Sequence, residues 1–340
     1  MLKKILPFIA ALFFLASAHA QSDSAQFYFN KGIAEKSARR FLVASGYFDK
    51  SLKFDPKNVQ AYIENGQVNI EMRKIDAAAA NYSKAYSLEP SNTLVLKELS
   101  QLYYNNRQFL KAIELAQKCP ACPGSERIIA MCYYNLEDYA KALTGLQKVI
   151  AAKPDDAEAA YTLGRCFVEQ EEFKKAIPPM QKAIAADATK NLWMYELGLI
   201  YYNLNDFVNA SKYFKMAETA GYVKSNDFYE NAGFAYLNTG DVDNGLKYLQ
   251  TVLARKPKDK ELLTDIAHAL YGAKKYDDAL IYYQKLLELN PKDANALYMA
   301  GMTFQKKGMI ERGQAMCDEA IKLDPSLSKN RQKKGESFGL

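Results

Sequence analysis

The chain has 340 residues, 49% of them apolar and 25% charged, a composition that excludes a disordered or collagen-like polymer. That length exceeds what one compact core ordinarily serves. The formal charge of +6 is spread along the sequence and gives no electrostatic case for a nucleic-acid ligand.

The first predicted element differs from all that follow. "MLKK" is a cationic start, Ile5 to Ala16 is an apolar run, and small residues stand at Ala18 and Ala20. These three parts predict a secretory signal peptide over residues 1–20, cleaved after Ala20. The run is short for a membrane span, and no Cys follows it to take a lipid. The reading is an exported protein, with the bacterial periplasm as the favoured compartment and the exterior as the alternative.

From residue 25 onward, helical segments return at a fixed interval. "SLKFDPKN", "AYSLEPSN", "LLELNPKD" and "AIKLDPSL" are each an apolar helical run halted by an acidic or amide residue and Pro. Pro56 and Pro90 are 34 residues apart, as are Pro257, Pro291 and Pro325. In phase with them runs a ladder of small residues: Gly32, Gly66, Ser100, Ala130, Gly164, Gly198, Gly233, Ala267 and Gly301. A second ladder follows twelve residues later in each unit: Ala44, Ala78, Ala112, Ala142, Ala176, Ala210, Gly245, Ala279 and Gly313. A mid-helix Gly costs about 1 kcal/mol against Ala, so its return in one phase needs an offsetting gain. The expected gain is close approach of two helix backbones.

Each unit reads as two antiparallel helices. In "AEAAYTLGRCFVEQ", Ala160, Leu163, Gly164 and Phe167 share one face, and "EEFKKAI" then opens the second helix. The pattern resembles the tetratricopeptide repeat, a 34-residue helix-turn-helix unit. The resemblance implies an all-α fold, a solenoid of nine units wound as a right-handed superhelix. The units are 25–58, 59–92, 93–122, 123–156, 157–190, 191–225, 226–259, 260–293 and 294–327.

Departures from the period occur in chain order. The first two units carry Glu35 and Asn69 where all but one of the later ones have Tyr or Phe. The third is four residues short and ends in "CPAC", Cys119 to Cys122. Pro178-Pro179 predicts a bend in the second helix of the fifth. The sixth runs one residue over, through "ETAGYVKSND". The polar, basic segment 328–340 reads as a cap or a frayed end.

Little in this pattern supports catalysis. Once His19 leaves with the leader, His268 is the only imidazole. No phosphate-binding glycine loop, metalloprotease helix or calcium loop is present, so no catalytic residue, metal or cofactor is predicted. Asp155, Asp156 and Glu158 sit where a helix N-terminus favours acids. The spacing of Cys119 and Cys122 is similar to the redox motif of thioredoxin-like proteins. That chemistry needs an activated thiolate in a βαβ setting, whereas this pair lies between helical repeats. A structural disulfide is therefore preferred, with a thiol–disulfide redox protein as the alternative function. Cys132 and Cys166 hold one phase in adjacent units. Packed helices lie about 8–10 Å apart and a disulfide needs Cα atoms within about 7 Å, so this pair is predicted to stay unbridged.

In the family resembled, the first helices of the units line a concave groove. Tyr104, Asn105, Arg127, Tyr134, Asn135, Tyr161, Arg165, Tyr195, Tyr202 and Asn203 fall on that face. Tyr offers area and a hydroxyl at low entropic cost, Arg a planar donor fork, and Asn a partner for peptide backbone. The implied function is a non-enzymatic scaffold whose third to seventh repeats hold a segment of a protein partner. The Lys and Asn phases that clamp a C-terminal carboxylate in some relatives are not matched here. Self-association through the end repeats is a further reading.

Overall fold

The computed structural model describes the backbone of residues 6–329 and the side chains of residues 22–329. The side chains of the predicted leader and most of the basic tail lie outside the described residues. Among the described residues the fold is all-α, with eighteen α-helices and no strand. None of these helices is long and apolar enough to cross a membrane.

The chain divides into two compact units, Met1–Glu171 and Glu172–Leu340. The first holds α1 (Leu6–Ser37), α2 (Phe41–Phe54), α3 (Val59–Glu71), α4 (Ile75–Leu88), α5 (Thr93–Asn105), α6 (Phe109–Lys118), α7 (Ser125–Asn135), α8 (Tyr139–Ala152) and α9 (Ala157–Glu169). The second holds α10 (Phe173–Ala186), α11 (Asn191–Asn203), α12 (Phe207–Thr219), α13 (Asn226–Thr239), α14 (Val242–Arg255), α15 (Lys260–Gly272), α16 (Tyr276–Leu289), α17 (Ala294–Lys306) and α18 (Ile310–Leu323), then a 3-10 turn at Pro325–Leu327. The division falls in the turn of the fifth repeat. Odd-numbered helices are first helices and even-numbered ones second helices, and within each unit neighbours pack in sequence order.

Both kinds of turn follow from local chemistry. Between repeats, the segment that halts one helix also starts the next. Asn58, Asn92, Asp156, Asp259 and Asp293 each accept a hydrogen bond from the backbone N–H three residues on. Caps of this kind are worth about 1 kcal/mol apiece. Within repeats, the turn places one residue in the left-handed region at Arg39, Arg73, Arg107, Glu137, Glu171, Asn205, Gly240, Lys274 and Gly308. Its N–H bonds the carbonyl three residues back and the next N–H bonds five back, as in Lys274 to Tyr271 and Lys275 to Leu270. This is the Schellman end, which satisfies carbonyls the helix itself leaves open.

The small-residue ladders do more than bring backbones together. A Cβ on Gly32 would stand 2.5 Å from the ring of Phe48, one on Gly66 2.8 Å from that of Tyr82, and one on Gly198 2.7 Å from that of Phe214. Each glycine makes the socket for a ring on the second helix, four residues beyond that helix's own small position. Direct backbone approach occurs where both positions are glycine. A Cβ on Gly233 would lie 3.1 Å from the Gly245 carbonyl oxygen, and one on Gly313 2.4 Å from that of Gly301. The expected backbone contact is therefore one of two uses of the same ladder.

The missing residues of the third repeat come from its second helix: α6 has 10 residues where α4 and α8 have 14. Gly124, at φ +90°, then leads into α7. The helix α10 runs without interruption through Pro178 and Pro179. The carbonyls these prolines leave without helical donors belong to Lys174 and Lys175, both exposed residues.

Candidate functional site

The predicted groove residues separate into three groups. Tyr104, Tyr134 and Tyr202 occupy the same place near the C-terminal ends of α5, α7 and α11. Each half-buried ring rests on the first aromatic of the following helix. Tyr104 lies 6.1 Å from Phe109, Tyr134 6.0 Å from Tyr139, and Tyr202 5.4 Å from Phe207, centre to centre. Burial pushes all three phenols above the ordinary range, so each keeps its proton as a donor. Tyr271 and Tyr276 repeat the arrangement at 5.7 Å, a rung absent from the sequence reading. The sequence signal is the phase, since Tyr271 stands 69 residues after Tyr202, one 35-residue and one 34-residue step.

The adjoining asparagines differ among themselves. All three are exposed. Asn135 donates to the Met131 carbonyl at 2.8 Å, and Asn105 accepts from the Gln101 side chain at 2.9 Å. Tyr161 and Arg165 are half-buried on α9, and Arg165 bonds Glu169 one turn on at 2.8 Å.

Two residues have structural duties that the sequence did not reveal. Arg127 reaches from α7 to the start of α9, where Nε bonds Asp156 at 2.8 Å and the guanidinium meets Glu158 at 2.5 Å. Asp156 simultaneously caps α9 through the Ala159 N–H. Its burial opposes ionisation, but the Arg127 and backbone hydrogen bonds prevail and hold its carboxyl below the usual range. Arg127 therefore clasps two repeats, and its fork is already occupied. Two of the acids read from sequence as helix-start charges, Asp156 and Glu158, are its partners. Tyr195 is buried at 8% exposure, stacked 4.6 Å from Tyr222, with its hydroxyl accepting from Asn231. It belongs to the core of the second unit and does not line an open face.

Cys119 and Cys122 are buried with Cα atoms 5.3 Å apart and sulfurs within bonding reach. Cys132 and Cys166 are separate buried thiols, and burial pushes both up to about 12. His268 is exposed on α15, 6.0 Å from the ring of Tyr283.

A polar cluster unforeseen in the sequence surrounds Glu218 on α12. It accepts from Lys215 at 2.8 Å, Lys224 at 2.6 Å and the Tyr248 hydroxyl at 2.7 Å. Burial works against the charge, yet these three donors hold its carboxyl at about 2.

Comparison with known proteins agrees with this architecture. Residues 129–191 and 231–294 match a tetratricopeptide repeat family model, and residues 282–315 match a second one. Residues 71–149 match the model of anaphase-promoting complex, cyclosome, subunit 3. The chain is a tetratricopeptide repeat protein. Protein CTR9 homolog of Arabidopsis thaliana is 25% identical over 130 residues, which are 37% of this chain and 12% of that relative. Among solved structures, YrrB, described as a TPR protein with an unusual peptide-binding site, is 24% identical with a TM-score of 0.41. That match covers 55% of this chain and 97% of YrrB. The type IV pilus biogenesis factor PilW is 18% identical with a TM-score of 0.34, covering 71% of this chain and 98% of PilW.

Proposed function

We propose that this chain is an exported, non-enzymatic scaffold that holds a segment of a partner protein against the first helices of its repeats, in bacterial envelope assembly or secretion. The supporting observation is the braced tyrosine, which recurs within each unit. Tyr104 and Tyr134 in the first unit and Tyr202 in the second each have one face fixed by a neighbouring ring and one edge open. Rings fixed before binding lose little freedom when a partner arrives. Exposed Asn105, Asn135 and Asn203 beside them offer groups for peptide backbone. Export rests on the cationic, apolar and small-residue parts of the leader. In an oxidising compartment Cys119 and Cys122 would be joined, fixing the loop that replaces the last turn of α6.

The test uses the full chain with a photo-crosslinking residue at position 105 or 203, followed by mass spectrometry of the captured protein. The triple variant Tyr104→Ala, Tyr134→Ala and Tyr202→Ala should lose capture while its circular dichroism stays helical. Capture that survives in the folded variant would reject the tyrosine faces as the binding surface. Arg127 is excluded from the variant because its loss would disturb the clasp between repeats. The redox alternative predicts catalysed insulin reduction that Cys119→Ser abolishes.

A further inference from the structure

The fourth repeat lacks a ring that the sixth and seventh possess. In the sixth, Tyr201 of α11 stacks on Tyr213 of α12 at 5.5 Å and 12° between planes. In the seventh, Tyr236 of α13 stacks on Tyr248 of α14 at 5.6 Å and 14°. The repeat register puts Tyr133 of α7 in the place of Tyr201 and Tyr236. It puts Gly145 of α8 in the place of Tyr213 and Tyr248. Tyr133 thus has its platform but no covering ring.

A cavity of about 580 Å³ lies there, with Tyr133, Ile129 and Gly145 in its walls. Pro120 contributes from the loop that replaces the last turn of α6, so the shortened helix helps to leave the space open. The chain cannot fill this slot simply by changing residue 145, because a Cβ there would stand 2.7 Å from that of Ala130. Two lysines and one glutamate lie on the lining. Lys148 is 3.4 Å from Glu126, while Lys141 bonds Asp138 at 2.6 Å and sits 4.9 Å above the Tyr133 ring.

We propose that this slot receives an aromatic side chain from a partner segment, with acidic residues beside that ring meeting Lys141 and Lys148. The missing ring defines the shape, since a planar group stacked on Tyr133 restores the pair seen in the other repeats. The volume exceeds one ring, so the occupant brings flanking atoms, as a side chain within a peptide does. Acidic residues flanking that ring would compete with Asp138 for Lys141 and with Glu126 for Lys148. The site is separate from the braced tyrosines, because Tyr133 precedes Tyr134 by one position and turns about 100° away around α7.

The probe is an acetylated, amidated peptide Gly-Glu-Phe-Glu-Gly added to the full chain and followed by proton NMR. Stacking on Tyr133 should move the probe's ring protons upfield in a saturable way. Tyr133→Leu should remove that shift. Lys141→Glu with Lys148→Glu should weaken binding about fivefold, the modest effect expected of charges that solvent screens. Tyr134→Ala should leave binding unchanged, which separates this site from the proposed tyrosine faces. The proposal fails if the folded wild-type chain gives no ring shift, or if the shift persists in a folded Tyr133→Leu chain. Equal binding of free phenylacetate would overturn the partner-segment assignment in favour of a small aromatic acid.

Discussion

The third and sixth repeats both break the 34-residue period, and the fold answers them in opposite ways. The third has lost four residues, all from α6, and the loop that remains brings Cys119 and Cys122 to 5.3 Å between Cα atoms. The sixth has gained one, and its longer turn is packed full. Gly221 turns the chain at φ +84°, Tyr222 folds back onto Tyr195 at 4.6 Å and Phe228 at 5.5 Å, and Lys224 reaches Glu218. An insertion carries its own side chains to bury. A deletion removes side chains and leaves neighbours uncovered, so a crosslink between the two cysteines would be the source of order, and a cavity opens beside the loop.

The comparison breaks most sharply at Tyr222. Its replacement by Ala removes a ring stacked on Tyr195 and tilted against Phe228, and uncovers the Tyr195 core of the second unit. Large-to-small changes at such a ring cost on the order of 3 kcal/mol. Urea unfolding of the full chain should show that loss, and a transition unchanged by Tyr222→Ala would mean that the insertion is not packed as described.

The corresponding experiment on the third repeat should show a smaller effect. A crosslink that closes so short a loop contributes about 2 kcal/mol in the chain-entropy account. The double variant Cys119→Ser and Cys122→Ser should therefore unfold earlier than the oxidised parent and coincide with the reduced parent. Equal stability of oxidised parent and double variant would remove the crosslink from the comparison and leave the Ser125 hydroxyl, bonded to the Cys119 carbonyl at 2.8 Å, as the loop's main tie.

Much of this architecture was legible because repeats print the same physics nine times over. Small residues in one phase announced paired helices, and prolines announced their ends. The occupants of the sockets were less visible. Phe48, Tyr82 and Phe214 share a phase, but a single residue cannot say whether its ring enters a neighbouring helix or covers its own. Arg127 looked like a free donor because its partners lie 29 and 31 residues on, in the next repeat. Tyr195 looked accessible because the turn that covers it, carrying Tyr222, belongs to an irregular insertion with no counterpart in other repeats. Local periodicity locates faces, while closure of a face by a loop is a tertiary event.

The mildest effect concerns the turns inside the repeats, where regular positions differ only in residue type. Lys274 and Gly240 hold equivalent left-handed sites, at φ +60° and +87°. Lys274 is exposed there, and nothing lies within 4 Å of a Cβ built on Gly240, so contacts cannot decide between the residues. Backbone strain can. A side chain in this region costs roughly 1 kcal/mol or more, and glycine avoids that cost while giving the unfolded chain extra freedom worth a fraction of it. Lys274→Gly should therefore raise the unfolding midpoint slightly, by a free energy on the order of 0.5 kcal/mol, and Gly240→Lys should lower it by a similar amount. Opposite signs at equivalent positions would isolate the backbone term from all side-chain packing. Shifts of the same sign would show that these turns are set by the repeats around them more than by their own conformation.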